Sequence, residues 1–208
     1  CPLCLTDNAE LHFEEREASY YRCSKCDMVF VPTNCHLSKD EEKKRYDFHE
    51  NDPNDKGYQD FLNQLLEPLV TKLKAGASGL DYGSGPGPGI SVMLKKKGFS
   101  VENYDPIYSN NRDLLDKQYD FITCTEVAEH FRNPRAEWQK LIKLLGPSGW
   151  LGIMTSLTDD CSDFATWHYK RDDTHICFYS KKTILWIAKA FNLEASFPSK
   201  RVILFEKH

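Results

Sequence analysis

A chain of 208 residues holds one ordinary domain with a small appendage and is too short for two full enzymatic domains. With 40% hydrophobic residues it can build a packed core, and no apolar run approaches the roughly 20 residues of a membrane span, so the chain reads as soluble rather than disordered or membrane-embedded. A formal net charge of −4 argues against a polyanion such as nucleic acid as partner. No initiator Met precedes Cys1, so the sequence reads as starting slightly inside its natural N-terminus, with no signal peptide in view and a cytoplasmic placement expected.

Eight cysteines divide into two groups. Cys1-Pro-Leu-Cys4 and Cys23-Ser-Lys-Cys26 form two C-x2-C pairs, while Cys35, Cys124, Cys161 and Cys177 are scattered singly, unlike a disulfide framework. Two such knuckles at this separation suit one tetrahedral zinc ion on Cys1, Cys4, Cys23 and Cys26. A redox pair would need only one C-x-x-C, near a βαβ pattern. The chain between the knuckles reads as a hairpin: Leu11 to Glu15, a turn near Arg16 to Ala18, then Ser19 to Arg22, with Met28 to Val31 adding a third strand. About 35 residues bury too little to fold unaided, so structural zinc would supply the missing stability. The ribbon is net acidic, which favours a structural clip or substrate-shaping lid over an RNA-docking surface. Cys35 and His36 read as bystanders to a site four thiolates already close.

Residues 36–76 read as a helical linker. Ser38 is placed to cap a charged helix from Lys39 to His49 with Glu41 or Glu42 near its third position, and Asn51 to Gly57 is a turn-rich break. From Tyr58 to Lys74 apolar residues at Tyr58, Phe61, Leu62, Leu65, Leu66, Leu69, Val70 and Leu73 keep helical spacing, with a kink expected at Pro68 and packing at the edge of the following domain.

The most informative stretch is Gly79-Leu80-Asp81-Tyr82-Gly83-Ser84-Gly85-Pro86-Gly87-Pro88-Gly89-Ile90: a short apolar strand, a loop with glycine at alternate positions, then an amphipathic helix ending at Lys95-Lys96-Lys97-Gly98. Such glycines let backbone approach a ligand, and the helix N-terminus offers unpaired N–H groups. The next strand, Ser100 to Tyr104, ends in Asp105, spaced from the loop as the acid that holds a ribose in such folds. The nicotinamide fingerprint G-x-G-x-x-G fails in both registers, at Pro88 or at Ile90, and the P-loop Gly-Lys-Ser/Thr is absent.

Asp81-x-Gly83-x-Gly85-x-Gly87 resembles the first motif of class I methyltransferases that use S-adenosylmethionine. Tyr119 to Cys124 reads as a buried strand, and Asp120-x-Ile122-x-Cys124-x-Glu126-Val127-x-Glu129-His130 resembles the fourth motif of that family. Asn133-Pro134 opens a helix through Trp138, Leu141, Ile142 and Leu145. Leu145-Gly146-Pro147-Ser148-Gly149 resembles the family's L-x-P-G-G turn, with Ser148 in place of the first glycine, before the strand Trp150 to Thr155. Ribbon plus methyltransferase resembles a family of small bacterial proteins, with a relative in the ubiquinone-pathway O-methyltransferases. The resemblance implies an α/β fold: a Rossmann-like, seven-stranded, mostly parallel sheet over residues 77–208, closed by an antiparallel pair at Leu193 to Phe197 and Arg201 to Glu206, with the zinc ribbon at 1–35. It implies S-adenosylmethionine as cofactor, held by Asp81, Gly83, Ser84, Gly85, Gly87, Asp105, Thr125 and Glu126. One departure stands out. The span from Asp105 to Tyr119 is too short for the usual helix, third strand and acidic cap, so the adenine pocket is expected to be shortened or rebuilt, with Asp113 or Asp116 as substitutes.

Methyl transfer is a substitution at an already electrophilic sulfonium methyl, so the protein chiefly aligns the acceptor and removes its proton. In an open α/β sheet this happens at the carboxyl ends of the strands. Candidate catalytic residues are His168, His175, His130 and Tyr169, the first two as a pair; a loop stapled by buried aromatics and a His–Asp hydrogen bond is the structural alternative. Glu126, Glu129 and His130 share one face if helical. Relatives in the ubiquinone pathway hold a divalent ion there, so Mg²⁺ is the alternative to the favoured role, pinning of a short helix. The expected activity is methyl transfer to a small-molecule acceptor, O-methylation ahead by analogy. The alternatives are an RNA methyltransferase that docks through its ribbon and a non-catalytic cofactor-binding module.

Overall fold

The computed structural model describes residues 1–15, 18–48 and 52–208. The predicted ribbon hairpin is present as β1 (Ala9–Glu15) and β2 (Ala18–Cys23), antiparallel with an irregularity between Leu11 and Phe13, followed by the short strand β3 (Val29–Phe30). Arg16 lies outside the described residues, as do His49 and Asn51 of the two later segments.

Helix α1 (Lys39–Tyr46) starts on the predicted capping box: the Ser38 hydroxyl accepts from the Glu41 amide, and the Glu41 carboxylate takes the Ser38 N–H. It buries no residue; its charges, acidic first and basic last, follow the helix dipole. Helix α2 (Lys56–Val70) is capped by Asp55, which accepts from the Tyr58 amide at 2.7 Å. It runs through Pro68, which leaves the carbonyl of residue 64 without its i→i−4 donor, and ends two residues later, short of the expected Lys74.

The remaining elements are β4 (Ser78–Tyr82), α3 (Gly89–Lys96), β5 (Ser100–Tyr104), β6 (Tyr119–Thr125), α4 (Pro134–Leu144), β7 (Leu145–Met154), β8 (Cys177–Phe178), α5 (Lys181–Phe191), β9 (Leu193–Ser196) and β10 (Val202–Lys207). The main sheet has the order β5-β4-β6-β7-β10-β9, parallel through its first four strands and antiparallel at β10 and β9. The mostly parallel class is as expected, but the described residues give six strands rather than seven. The strand missing from expectation would lie between β5 and β6, where the chain forms one 3₁₀ turn at Arg112–Asp116. Two crossovers of about 10–12 residues each would be needed to insert it, more chain than that segment has. The expected turn at Gly146 to Gly149 is instead a bulge within β7, with Ser148 at φ 55° and the register against β6 shifting beside it.

Alternation along the strands builds two cores. Phe121, Met154, Val202 and Leu204 face α2 and α3, meeting Leu62, Leu65, Leu66, Ile90 and Leu94. Ile122, Cys124, Ile153, Ile203 and Phe205 face Trp138 and Leu141 of α4 and Ile184 and Ile187 of α5. Thus α2 packs across a sheet face, not along an edge. The second core runs on into the ribbon through Leu3, Tyr20 and Met28. Strand β8 pairs antiparallel with β3, so the ribbon's sheet is completed by a strand from far along the chain, in the order β1-β2-β3-β8. Among the described residues no helix is long and apolar enough to cross a membrane.

Candidate functional site

At the carboxyl ends of β4, β5 and β6 lies a cleft of about 940 Å³, a size typical of cofactor and substrate pockets. The glycine loop forms one wall. Gly83 has φ 82°, and a Cβ there would stand 2.4 Å from Val127, so nothing larger fits; Gly85 has φ 60° with open space where a side chain would project. The amides of Gly83 and Ser84 donate to the Tyr104 carbonyl at 2.7 and 3.2 Å. Asp105 accepts from the amides of Gly85 (3.0 Å), Ile107 (2.8 Å) and Tyr108 (2.9 Å). Its first task is therefore to staple the loop to the β5 turn, which leaves less of the carboxylate for the ribose than expected. Asp81 is buried beside it and accepts from the Thr123 hydroxyl at 2.8 Å; burial pushes its carboxyl up to about 7, and the neighbouring Asp105 adds to this.

Gly83, Ser84, Gly85, Asp81, Asp105, Thr125 and Glu126 all line the cleft; Gly87 does not, and Asp113 and Asp116 are exposed outside it. The rim near β5 is instead built from Tyr104, Pro106, Ile107 and Tyr108, and Tyr82, Glu137 and Lys140 form a hydrogen-bonded cluster at the wall. Two oxygens at the end of β6, Thr125 Oγ1 and Glu126 Oε1, are buried with no partner among the described residues. Glu126 holds φ 51°, a left-handed conformation costly for this residue and typical of functional turns. Burial, then the charge of Glu129, raises its carboxyl to about 8. An open glycine cradle beside two unpartnered buried oxygens fits the polar end of a nucleoside cofactor.

Sequence reasoning missed the roof. Tyr46 of α1 and Tyr58, Phe61 and Leu62 of α2 line the cleft. α1 is tied down by ion pairs of Arg132 with Glu42 and Arg45 with Asp173, both at 2.8 Å, and by the Tyr108 hydroxyl on Asp47. An aromatic in the first turn of α2 was the available signal.

On the far side the cleft meets Glu126, His130, Asp172 and His175. Only Ala128–His130 is helical, as a 3₁₀ turn, so Glu126, Glu129 and His130 do not share a face. The group that converges is Glu129, His130 and His175, whose ligand atoms lie within 4.8 Å of one another. Each imidazole is oriented by backbone: His130 Nδ1 donates to the Thr174 carbonyl at 3.0 Å, and His175 Nδ1 to the Tyr169 carbonyl at 2.7 Å. This turns Nε2 of His175 away from the backbone, 3.9 Å from Asp172. Burial lowers the proton affinity of His175, assisted by His130 and opposed by Glu129 and Asp172. Glu129 is fully buried, which raises its carboxyl, while Tyr169 donates to one oxygen and Thr155 to the other at 3.1 Å. Tyr169 lies behind the cleft wall, its hydroxyl meeting Glu129, Thr155 at 3.1 Å and Glu126 at 3.4 Å; burial raises its phenol well above the usual range. His168 is exposed and outside the cleft, so the expected pairing with His175 does not form. In a segment of 3₁₀ turns no periodicity distinguishes inside from outside.

The four ribbon thiols converge as predicted. Cys1 and Cys26 Sγ are 3.6 Å apart, Cys4 and Cys23 3.4 Å, and all four lie within 4.8 Å of one another. Each knuckle closes on a left-handed residue, Leu5 at φ 58° and Asp27 at φ 67°, whose amides return to the Cys1 and Cys23 carbonyls at 3.1 and 2.9 Å. Sulfurs bonded to zinc at about 2.3 Å would be separated by similar distances, so the donor set fits a tetrahedral ion.

Comparison with known proteins agrees with this geometry. A family model described as a methyltransferase domain matches residues 54–196. Ubiquinone biosynthesis O-methyltransferases are similar over part of the chain: that of Erwinia tasmaniensis is 27% identical over 85 residues, 41% of this chain and 35% of that protein, and that of Shewanella pealeana 26% over 91 residues, 44% and 39%. The matched segment thus spans little more than a third of the length of these curated relatives. Among solved structures, an O-methyltransferase family protein from Burkholderia thailandensis superposes with TM-score 0.54 at 15% identity, covering 80% of this chain and 62% of that one. The 1,6-didemethyltoxoflavin-N1-methyltransferase of the same organism, solved with its substrate and S-adenosylhomocysteine, gives 0.51 at 13% identity over 96% and 99%. These likenesses show the fold, and the family match over more than half of the sequence, on a loop and sheet of this geometry, shows that the chain belongs to the methyltransferase-domain family of class I methyltransferases that use S-adenosylmethionine.

Proposed function

We propose that this chain transfers a methyl group from S-adenosylmethionine to a small-molecule acceptor, with a hydroxyl oxygen as the first choice of methylated atom. The observation that carries it is the single cleft in which the open glycine loop and the unpartnered Thr125 and Glu126 oxygens face the Glu129–His130–His175 cluster. The likeness to ubiquinone biosynthesis O-methyltransferases supports oxygen; the N1-methyltransferase neighbour carries the fold alone.

When bound, the cofactor supplies a sulfonium methyl already activated for displacement. The glycine loop and Asp81 would hold its polar end, Tyr46 and Tyr58 would roof the cleft against water, and His175 stands where an acceptor would approach from the β6 side. His175 Nε2 would accept the proton of an acceptor hydroxyl as that oxygen is methylated. Asp172 and Glu129 then stabilise the imidazolium. Tyr169 keeps Glu129 in place.

A second reading rests on the same cluster: two imidazoles and one carboxylate form a donor set for a divalent cation, with Nδ1 of each ring hydrogen-bonded to backbone as ligating histidines are. Such a cation would polarise the acceptor hydroxyl. In the ribbon we assign a structural zinc ion to Cys1, Cys4, Cys23 and Cys26. Four thiolates given to zinc and four cysteines scattered singly along the chain fit a reducing compartment, the cytoplasm.

The test is transfer of label from methyl-labelled S-adenosylmethionine to a metabolite extract, with and without EDTA followed by Mg²⁺. Label appearing in small molecules is the expected result. Loss with EDTA and recovery with Mg²⁺ selects the cation reading; label only in RNA, or in nothing despite cofactor binding, contradicts the small-molecule assignment.

A further inference from the structure

The segment between β7 and α5 carries Tyr169, Asp172 and His175, yet contains only 3₁₀ turns and the two-residue β8. A stretch so poor in regular structure needs an outside support, and the ribbon provides it. We propose that the four-cysteine ribbon is a positioning device for the acceptor half of the site: by pairing with β8 it holds the His175 segment against Glu129.

Ile176 is the pivot. Its carbonyl accepts from the Val31 amide of the ribbon at 2.9 Å, and its own amide donates to the Glu129 carbonyl at 2.9 Å. One residue thus joins the ribbon to the cluster through the peptide groups on either side of it, and the residue before it is His175. The β3–β8 ladder continues the attachment at Val29↔Phe178 and Phe30↔Cys177. Two further contacts fix the ends of the segment. Upstream, the Lys170 ammonium, buried over the Phe13 ring at 4.8 Å, pairs with Glu15 at 2.5 Å. Downstream, the Ser180 hydroxyl that caps α5 donates to Asp27, the left-handed residue closing the second knuckle, at 2.7 Å. A buried cation bound to a single carboxylate on another element is a directional contact, lost if that element shifts.

The ribbon's reach is selective. Among the described residues, no ribbon side chain lines the cleft, and none of the ribbon's hydrogen bonds or ring contacts meets the glycine loop. A sheet of this size held by short strands depends on the metal its thiols fit. Loosening it therefore frees Ile176, and with it His175, while leaving the loop that holds the cofactor. Lys170 and the backbone of Ile176 are positioning groups; they touch no reacting atom.

The experiment compares the full chain with two variants: Cys23→Ser, which breaks the thiolate set, and Val31→Pro, which keeps the four thiols and removes one N–H. Amide hydrogen exchange is read at Ile176 and at Leu80 of β4, zinc content by mass spectrometry, and S-adenosylhomocysteine binding by calorimetry. In both variants Ile176 is expected to exchange at least about tenfold faster, with Leu80 exchange and S-adenosylhomocysteine Kd within about threefold of the parent. Zinc is lost only from Cys23→Ser. Unchanged Ile176 exchange in Val31→Pro overturns the proposal, as does Leu80 exchange rising in step with Ile176, which would mean general unfolding; if Cys23→Ser does not fold, Val31→Pro decides alone. The proposal rests on the methyltransferase reading only for the consequence to turnover. Failure of the parent chain to bind S-adenosylhomocysteine would sink that reading, while the exchange comparison would still judge the ribbon.

Discussion

The two halves of the cleft are built by different means. The cofactor half is made of strand ends and one short loop: β4, β5 and β6 deliver Asp81, Asp105 and Thr125, and the loop's amides bond to Tyr104 and Asp105 at the end of the adjacent strand, the next one along the chain. The acceptor half is an irregular segment whose shape comes from partners distant in sequence, the ribbon above all. Local geometry makes the first half robust and readable. Long-range support makes the second adjustable and hard to foresee, as suits a fold that keeps its cofactor and varies its acceptors.

The largest expected effect separates the halves. His175→Ala should lower turnover by about 10²–10⁴, the usual worth of a positioned general base, with S-adenosylhomocysteine affinity held within about threefold. A parallel loss of affinity would mean that the halves are one structural unit.

Next comes a pH test of the cofactor half. Asp81 is an acid whose folded-state value is raised, to about 7, so the native state holds this proton more tightly than the unfolded chain does. Its contribution is fully present at acid pH and is lost as pH rises from about 4 to about 7, flattening above. Denaturant midpoints should show Asp81→Asn gaining on the parent across that window, by up to about 4 kcal/mol if the full shift is expressed. A difference independent of pH would mean that Asp81 ionises freely.

A smaller effect probes the acceptor half. Tyr169→Phe removes the hydroxyl that serves Glu129 and Thr155 and should cost about 1–3 kcal/mol in urea unfolding, because the buried carboxylate is left short of a donor. The smallest is His168→Ala, expected to leave turnover and stability unchanged to within about 0.5 kcal/mol, since the ring is exposed and off the cleft.

What was legible follows the same division. Asp81 to Gly85 and Thr125 to His130 are contiguous motifs, so their chemistry could be read in place, and the C-x2-C pairs announce their own convergence. Three features could not be read. The β3–β8 pairing joins two dipeptides with no pattern to mark them, His168 opens a 3₁₀ turn while His175 follows it in irregular chain with nothing in the sequence to tell which ring meets the cleft, and the aromatic roof comes from helices whose amphipathic spacing shows that they pack but not over what. The missing strand was foreshadowed by the short span after Asp105, but its replacement by the Tyr104–Tyr108 rim required the tertiary structure.

Titration calorimetry with S-adenosylhomocysteine on the parent chain and on Gly85→Val tests the central claim most directly. Gly85 sits at φ 60° with open space above it, so a β-branched side chain there is strained and projects into the cradle. The account predicts one binding site per parent chain and affinity weakened by about a hundredfold or more in the variant, with the four-cysteine site unaffected. No binding by the parent, or equal binding by both proteins, would contradict it.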